Sequence, residues 1–125
     1  MTMTLFRSTI AALALTLGAP AAAQPAAQTI QLYSFGYRPN TIHFAAGRPV
    51  TINFVNTAGG GHNFSAPSFF ANARLVSGSA PGGVVELGAR QSRAVTLIPR
   101  AGSYKFRCTH TFHRQMGMRG EIVVN

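Results

Sequence analysis

Along most of this chain apolar residues recur at every second position, in runs too short to be helices. Val50, Ile52 and Phe54 alternate with Thr51, Asn53 and Asn56, which predicts a half-buried strand. Ile30 and Leu32 alternate with Gln31 and Tyr33, predicting a first strand that ends near Phe35-Gly36. Thr41 to Phe44, Val84 to Leu87, Ser92 to Ile98, Gly102 to Cys108 and Gly120 to Val124 read as further strands. Turn chemistry separates them at Tyr37-Arg38-Pro39-Asn40, Ala46-Gly47-Arg48-Pro49, Gly88-Ala89-Arg90 and Pro99-Arg100-Ala101-Gly102. Residues 65–83, with Pro67 and Pro81, predict an excursion holding at most one or two helical turns. No stretch keeps a helical period over three turns, and no internal repeat is visible. Seven or eight short strands with turns between them predict an all-β Greek-key β-sandwich.

The N-terminus breaks this pattern. Arg7, an apolar run from Thr9 to Leu17 and the small residues Ala21-Ala22-Ala23 read as a signal peptide over residues 1–23, cleaved near Ala23. The apolar run is too short, and too interrupted by Gly18 and Pro20, to span a membrane. No cysteine stands at the cleavage point, which argues against a lipid anchor. Residues 24–28 then form a short tether, and 29–125 a single domain large enough to bury its own core. The implied location is the periplasm.

Charge narrows the partners. Eleven Lys and Arg stand against two acids, Glu86 and Glu121, for a net charge of +9. The cations are spread along the chain rather than gathered in a run, and an exported protein rarely meets nucleic acid. The excess instead suits electrostatic steering towards acidic proteins, with weaker attraction to anionic membrane surfaces.

Candidate chemistry concentrates after the strand Gly102 to Cys108. Tyr104, Phe106 and Cys108 share one face, so the one cysteine of the chain ends a core-facing strand. A lone cysteine cannot form an intramolecular disulfide, and in an oxidising compartment it must be buried or bound. A buried structural thiol is the plain alternative. Against it stand His113 and Met118, five and ten residues beyond Cys108, and His62, at the end of another strand after Gly59-Gly60-Gly61. The glycines lack the Lys-Ser/Thr of a phosphate-binding loop. Greek-key connections can bring both strand ends to one pole. Two imidazoles and a thiolate, with a more distant thioether, form a soft ligand set that suits copper in an electron-transfer geometry.

The same residues carry a family resemblance. Val50 to Phe64, a strand followed by Asn and then His-Asn-aromatic, resembles the cupredoxins. So does Gly-Ser-Tyr-Lys-Phe-Arg-Cys at 102–108, followed by a His/Met loop and a last strand. The Cys-x4-His-x4-Met spacing is similar to that of rusticyanin, and His-Arg-Gln-Met-Gly-Met-Arg-Gly at 113–120 is similar to small bacterial plastocyanin-like domains. The resemblance covers about residues 29–125 and implies one copper ion held by His62, Cys108, His113 and Met118. It also implies that Asn63 ties the two ligand loops together, its N–H donating to the Cys108 sulfur and its side chain bonding near Thr109. The chain departs from the pattern at Thr111-Phe112, where relatives often have Pro-Gly. It also adds His110, which either faces solvent or competes with His113 as a ligand, and Met116, the rival of Met118. His43, mid-strand, reads as structural.

These features predict a monomeric periplasmic copper protein carrying one electron at a time. Its partner would be an acidic redox protein such as a cytochrome or an oxidase subunit. His113 would be the electron port, with Phe112, Met116 and Pro67 as an apolar rim. A centre filled by protein ligands leaves no place for a substrate, so no enzymatic activity is expected. The alternative is a copper-handling protein for storage, delivery or resistance. Similar domains resemble parts of periplasmic iron- and copper-transport systems.

Overall fold

The computed structural model describes residues 11–18, 24–111, 113 and 116–125. The expected signal peptide lies outside the described residues except for 11–18, which are exposed and form neither strand nor helix. Among the described residues, no helix is long and apolar enough to cross a membrane.

Among the described residues, ten strands form two five-stranded sheets. The chain runs through β1 (Ala26–Tyr33), β2 (Gly36–Arg38), β3 (Thr41–Phe44), β4 (Val50–Asn56) and β5 (His62–Ser65). A six-residue helix, α1 (Pro67–Asn72), leads into β6 (Arg74–Ser77). It is followed by β7 (Val84–Leu87), β8 (Ser92–Ile98), β9 (Gly102–Arg107) and β10 (Arg119–Val124). The first sheet has the order β2-β1-β4-β8-β6 and the second β3-β10-β9-β5-β7. The β1–β4 and β3–β10 pairs are parallel, and the rest are antiparallel.

The alternation explains which side chains meet. Ile30 and Leu32, Ile52 and Phe54, and Val95 and Leu97 point inward from the first sheet; Ile42, Phe64, Val85, Phe106 and Ile122 point inward from the second. Phe64 stacks on Phe106 at 4.5 Å between ring centroids and meets Phe54 across the sandwich at 4.9 Å. Burying such a ring stabilises the fold by on the order of 1.5–3 kcal/mol.

The sandwich is all-β as expected, with more strands than the alternation indicated. Edge strand β6 is exposed at all four positions, and β2 has only three residues, so neither displays an inward stripe. Strand β5 is buried at every position, which hides its period. The first strand starts at Ala26, inside the stretch read as a tether, and pairs with Val50 there. Asn56 corrects another expectation. It shares parity with Val50, Ile52 and Phe54 rather than with Thr51 and Asn53, and it is buried with them.

Candidate metal centre

Cys108 follows directly on the last residue of β9, and its burial is complete. His62 opens β5, the neighbouring strand, whose register sets Ser65 opposite Arg107. Running back from Ser65 along β5 therefore brings His62 to the same pole as the residues after Cys108. The loop returns to β10 through Met118, whose carbonyl accepts the Cys108 N–H at 3.0 Å and whose own N–H donates to the His113 carbonyl at 3.0 Å. Two backbone bonds thus tie Cys108, His113 and Met118 into one turn.

At this pole three donors converge. His62, Cys108 and His113 each present one ligating atom, and these atoms lie within 4.8 Å of one another. The two Nδ1 atoms are 3.0 Å apart, and His113 Nδ1 is 3.3 Å from the Cys108 sulfur. His62 is buried, whereas His113 is only partly so. Of the two loop methionines, Met118 is fully buried in the core cluster that also contains Cys108, while Met116 is exposed. Two imidazoles, a thiol and a buried thioether residue fit a soft transition-metal ion and suit neither magnesium nor calcium.

Burial disfavours the charged form of all three donors in the metal-free centre. Burial holds the His62 imidazole below its ordinary range, and His113 and His110 add to the effect while Glu86 opposes it. His113 is lowered too, by burial first and by His110 second. Burial pushes the Cys108 thiol up, against the lowering effect of backbone N–H groups from Asn63 and His110 that donate to its sulfur. Tyr37 is shifted upward by burial, with Cys108 and Glu86 adding to it; its hydroxyl donates to the Asn63 carbonyl at 2.6 Å.

Asn63 performs the bracing expected of it and more. Its side-chain carbonyl accepts the Thr109 N–H at 2.9 Å, and its amide donates to Thr109 Oγ1 at 2.7 Å and to Glu86 Oε2 at 2.9 Å. Glu86 stands directly opposite Asn63 in the β5–β7 pair. Its other oxygen, Oε1, takes His110 Nε2. His110 is therefore engaged by a carboxylate and lies outside the converging triad, its ring stacked on His113 at 5.4 Å. Gly61 packs closely beneath this ring: a Cβ there would stand 3.3 Å from His110 Cε1. His43 sits exposed on β3, away from the centre.

Three contributors were not foreseen. Glu86 was counted only as charge. Asn56 fixes the glycine turn by donating to the carbonyls of Gly60 and Gly88, each at 2.9 Å, while its Oδ1 accepts the Ala58 N–H. Its parity with the inward residues of β4 was the available signal. Phe35 adopts a positive φ of 66° and sets its ring edge-on to His113 at 5.4 Å. Nothing in the sequence marks that contact. Residues held in this sparsely populated region cluster at functional sites. Phe35 and Met116 are both exposed and supply apolar surface near His113. Phe112 lies outside the described residues, and Pro67 opens α1 and lines a groove with Lys105 and Arg107.

A family model of copper binding proteins, the plastocyanin/azurin family, matches residues 26–125. Among solved structures the chain is similar to dithionite-reduced auracyanin from the photosynthetic bacterium Roseiflexus castenholzii, at 21% identity and a TM-score of 0.61, covering 83% of this chain and 99% of that one. It is also similar to auracyanin A, a "blue" copper protein from Chloroflexus aurantiacus, at 21% identity and a TM-score of 0.55, over 79% and 99% of the two chains. A multicopper oxidase from Campylobacter jejuni matches at 11% identity and a TM-score of 0.63, over 88% of this chain and 32% of that one. At these identities the structural likenesses establish the shared fold. No curated protein sequence matches the chain.

Proposed function

Since the chain belongs to the plastocyanin/azurin family of copper-binding proteins, we propose that it is a periplasmic one-electron carrier. The observation that carries this reading is the convergence of His62, Cys108 and His113 on one point, with one of the three nearer the surface. His62 and His113 would hold the copper through their imidazoles, Cys108 through its sulfur and Met118 through its thioether. Bound there, the ion would supply a Cu(II)/Cu(I) couple. Around it the chain keeps the sulfur dry and fixed: Cys108 is buried and receives N–H groups from Asn63 and His110. Rigid donors need little rearrangement when charge changes, which favours fast exchange. His113, flanked by Phe35, would be the port through which an acidic redox protein such as a cytochrome or oxidase subunit exchanges electrons with the monomer. Protein donors fill the centre, so no substrate position is left and no enzymatic role is assigned.

The test is the visible and EPR spectrum after Cu(II) loading. An intense charge-transfer band that ascorbate bleaches, and that Cys108→Ala abolishes, supports the carrier. A colourless product removes it. Exposed Met116 favours a second reading, copper handling, because a thioether at the surface offers an incoming soft ion a first contact. Ready loss of Cu(I) to a chelator during redox cycling would select that reading over the first.

A further inference from the structure

A groove of about 840 Å³ runs along β9 and β10, between the start of α1 at Pro67 and the head of β3 at Thr41. Lys105, Arg107 and Arg119 line it, with Glu121 as its one acid. The register makes the charge pattern unusual. Arg107 lies directly opposite Arg119, and Glu121 lies opposite Lys105. Like charges directly across an antiparallel pair destabilise a sheet unless a counter-charge joins them. Glu121, the one acid of the groove, lies opposite Lys105 and forms no ion pair with Arg107 or Arg119; the one ion pair among the described residues is His110–Glu86. A second copy brings the same excess of cations and would repel.

The two arginines are placed with respect to the metal centre. Arg107 immediately precedes Cys108, Arg119 immediately follows Met118, and the Cys108 N–H to Met118 carbonyl bond closes the next rung of the hairpin. Successive side chains of a strand take opposite faces, so the two arginines stand on the outer face of the sheet, one residue along the backbone from the inward Cys108 and Met118. We propose that this groove docks a carboxylate-bearing segment of the acidic redox partner, with Arg107 and Arg119 as the recognising forks and Lys105 as an added charge. Guanidinium forks match carboxylates two bonds at a time, which gives orientation as well as attraction. A recessed groove admits side chains projecting from a protein better than it admits a plane of headgroups. The inference rests on the carrier reading for its purpose, while the binding itself is independent of copper redox chemistry.

The experiment is an NMR titration of the Cu(I)-loaded protein with hexaglutamate at low ionic strength, following backbone amides. Shifts confined to β9, β10 and Ser65 are expected. The double variant Arg107→Glu/Arg119→Glu should weaken binding by about tenfold or more, while Arg48→Glu/Arg74→Glu, equal in net charge, should change it less than about threefold. Arg107→Gln/Arg119→Gln gives the same comparison with a milder change should the reversal fail to fold. Equal losses in the groove and control variants would overturn the proposal, because generic charge would then suffice. It would also be overturned if inorganic phosphate reproduced the shifts and displaced hexaglutamate at equal concentration. Vesicles of phosphatidylglycerol and phosphatidylcholine that bind with the same Arg107/Arg119 dependence, where hexaglutamate does not bind, would assign the groove to lipid and overturn it as well. Failure of the carrier reading would show separately, as the missing charge-transfer band.

Discussion

Replacing Asn63 by alanine tests whether the side-chain brace between the two ligand-bearing segments has the energetic weight its geometry implies. The residue is 2% exposed and makes three side-chain hydrogen bonds, two to Thr109 and one to Glu86. Net contributions of about 1 kcal/mol per bond give roughly 3 kcal/mol. The Glu86 bond is charge-assisted, but that carboxylate is more than half exposed, so it counts as ordinary. For a domain of this size, a loss of roughly 3 kcal/mol lowers Tm by about 12–24 °C. Urea unfolding of the metal-free protein, followed by far-UV circular dichroism, should show the midpoint falling with the slope unchanged. Because Thr109 follows Cys108, the copper-loaded variant should also change in its thiolate band. Asn63→Asp is the companion: it keeps the acceptor for the Thr109 N–H but sets a carboxylate against Glu86, and should be no better than alanine. A cost below about 1 kcal/mol with an unchanged spectrum would refute the assignment of Asn63 as the brace.

Three further outcomes follow from other parts of the molecule. Phe64→Ala, at a fully buried ring that stacks on Phe106 and meets Phe54 at a tilt, should cost about 3–5 kcal/mol in the same assay. Gly83 has a φ of +78°, and a Cβ there would stand 2.4 Å from the Pro67 Cα, so Gly83→Ala should lower Tm measurably while Gly59→Ala, with open space around it, should not. For the metal-free protein, His62 and His113 titrate below 6.5 when folded, so the unfolded chain binds more protons as pH falls through 6.5 and stability declines on the acid side. Cys108 titrates above 9.0 when folded, so stability also falls as pH rises past 9.0; urea midpoints across pH should peak between these two values.

Much of the sandwich was legible because a sheet with one buried face must alternate. Strands β7 and β8 fall at the residues the pattern indicates, and β4 ends one residue past its last apolar position. The period fails where both faces are buried, as in β5, or neither is, as in β6. Within the metal centre, the residue types and spacing of Cys108, His113 and Met118 were visible because one short loop must supply several donors to one ion. His62 could be matched to them only through a topology, because Greek-key connections can bring two distant strand ends to one pole, and through the family pattern.

The chain by itself therefore determined what is local: the strand alternation, the turn residues, the soft donors and the excess of positive charge. Tertiary structure decided what depends on register between distant segments. Pairing β5 with β9 set His62 beside Cys108; pairing β5 with β7 set Glu86 against Asn63 and withdrew His110 from the donor triad. Pairing β9 with β10 placed Arg107 opposite Arg119. A strand's own periodicity says which face a side chain takes, and is silent on which neighbour that face will meet, because pairing energy belongs to two segments at once.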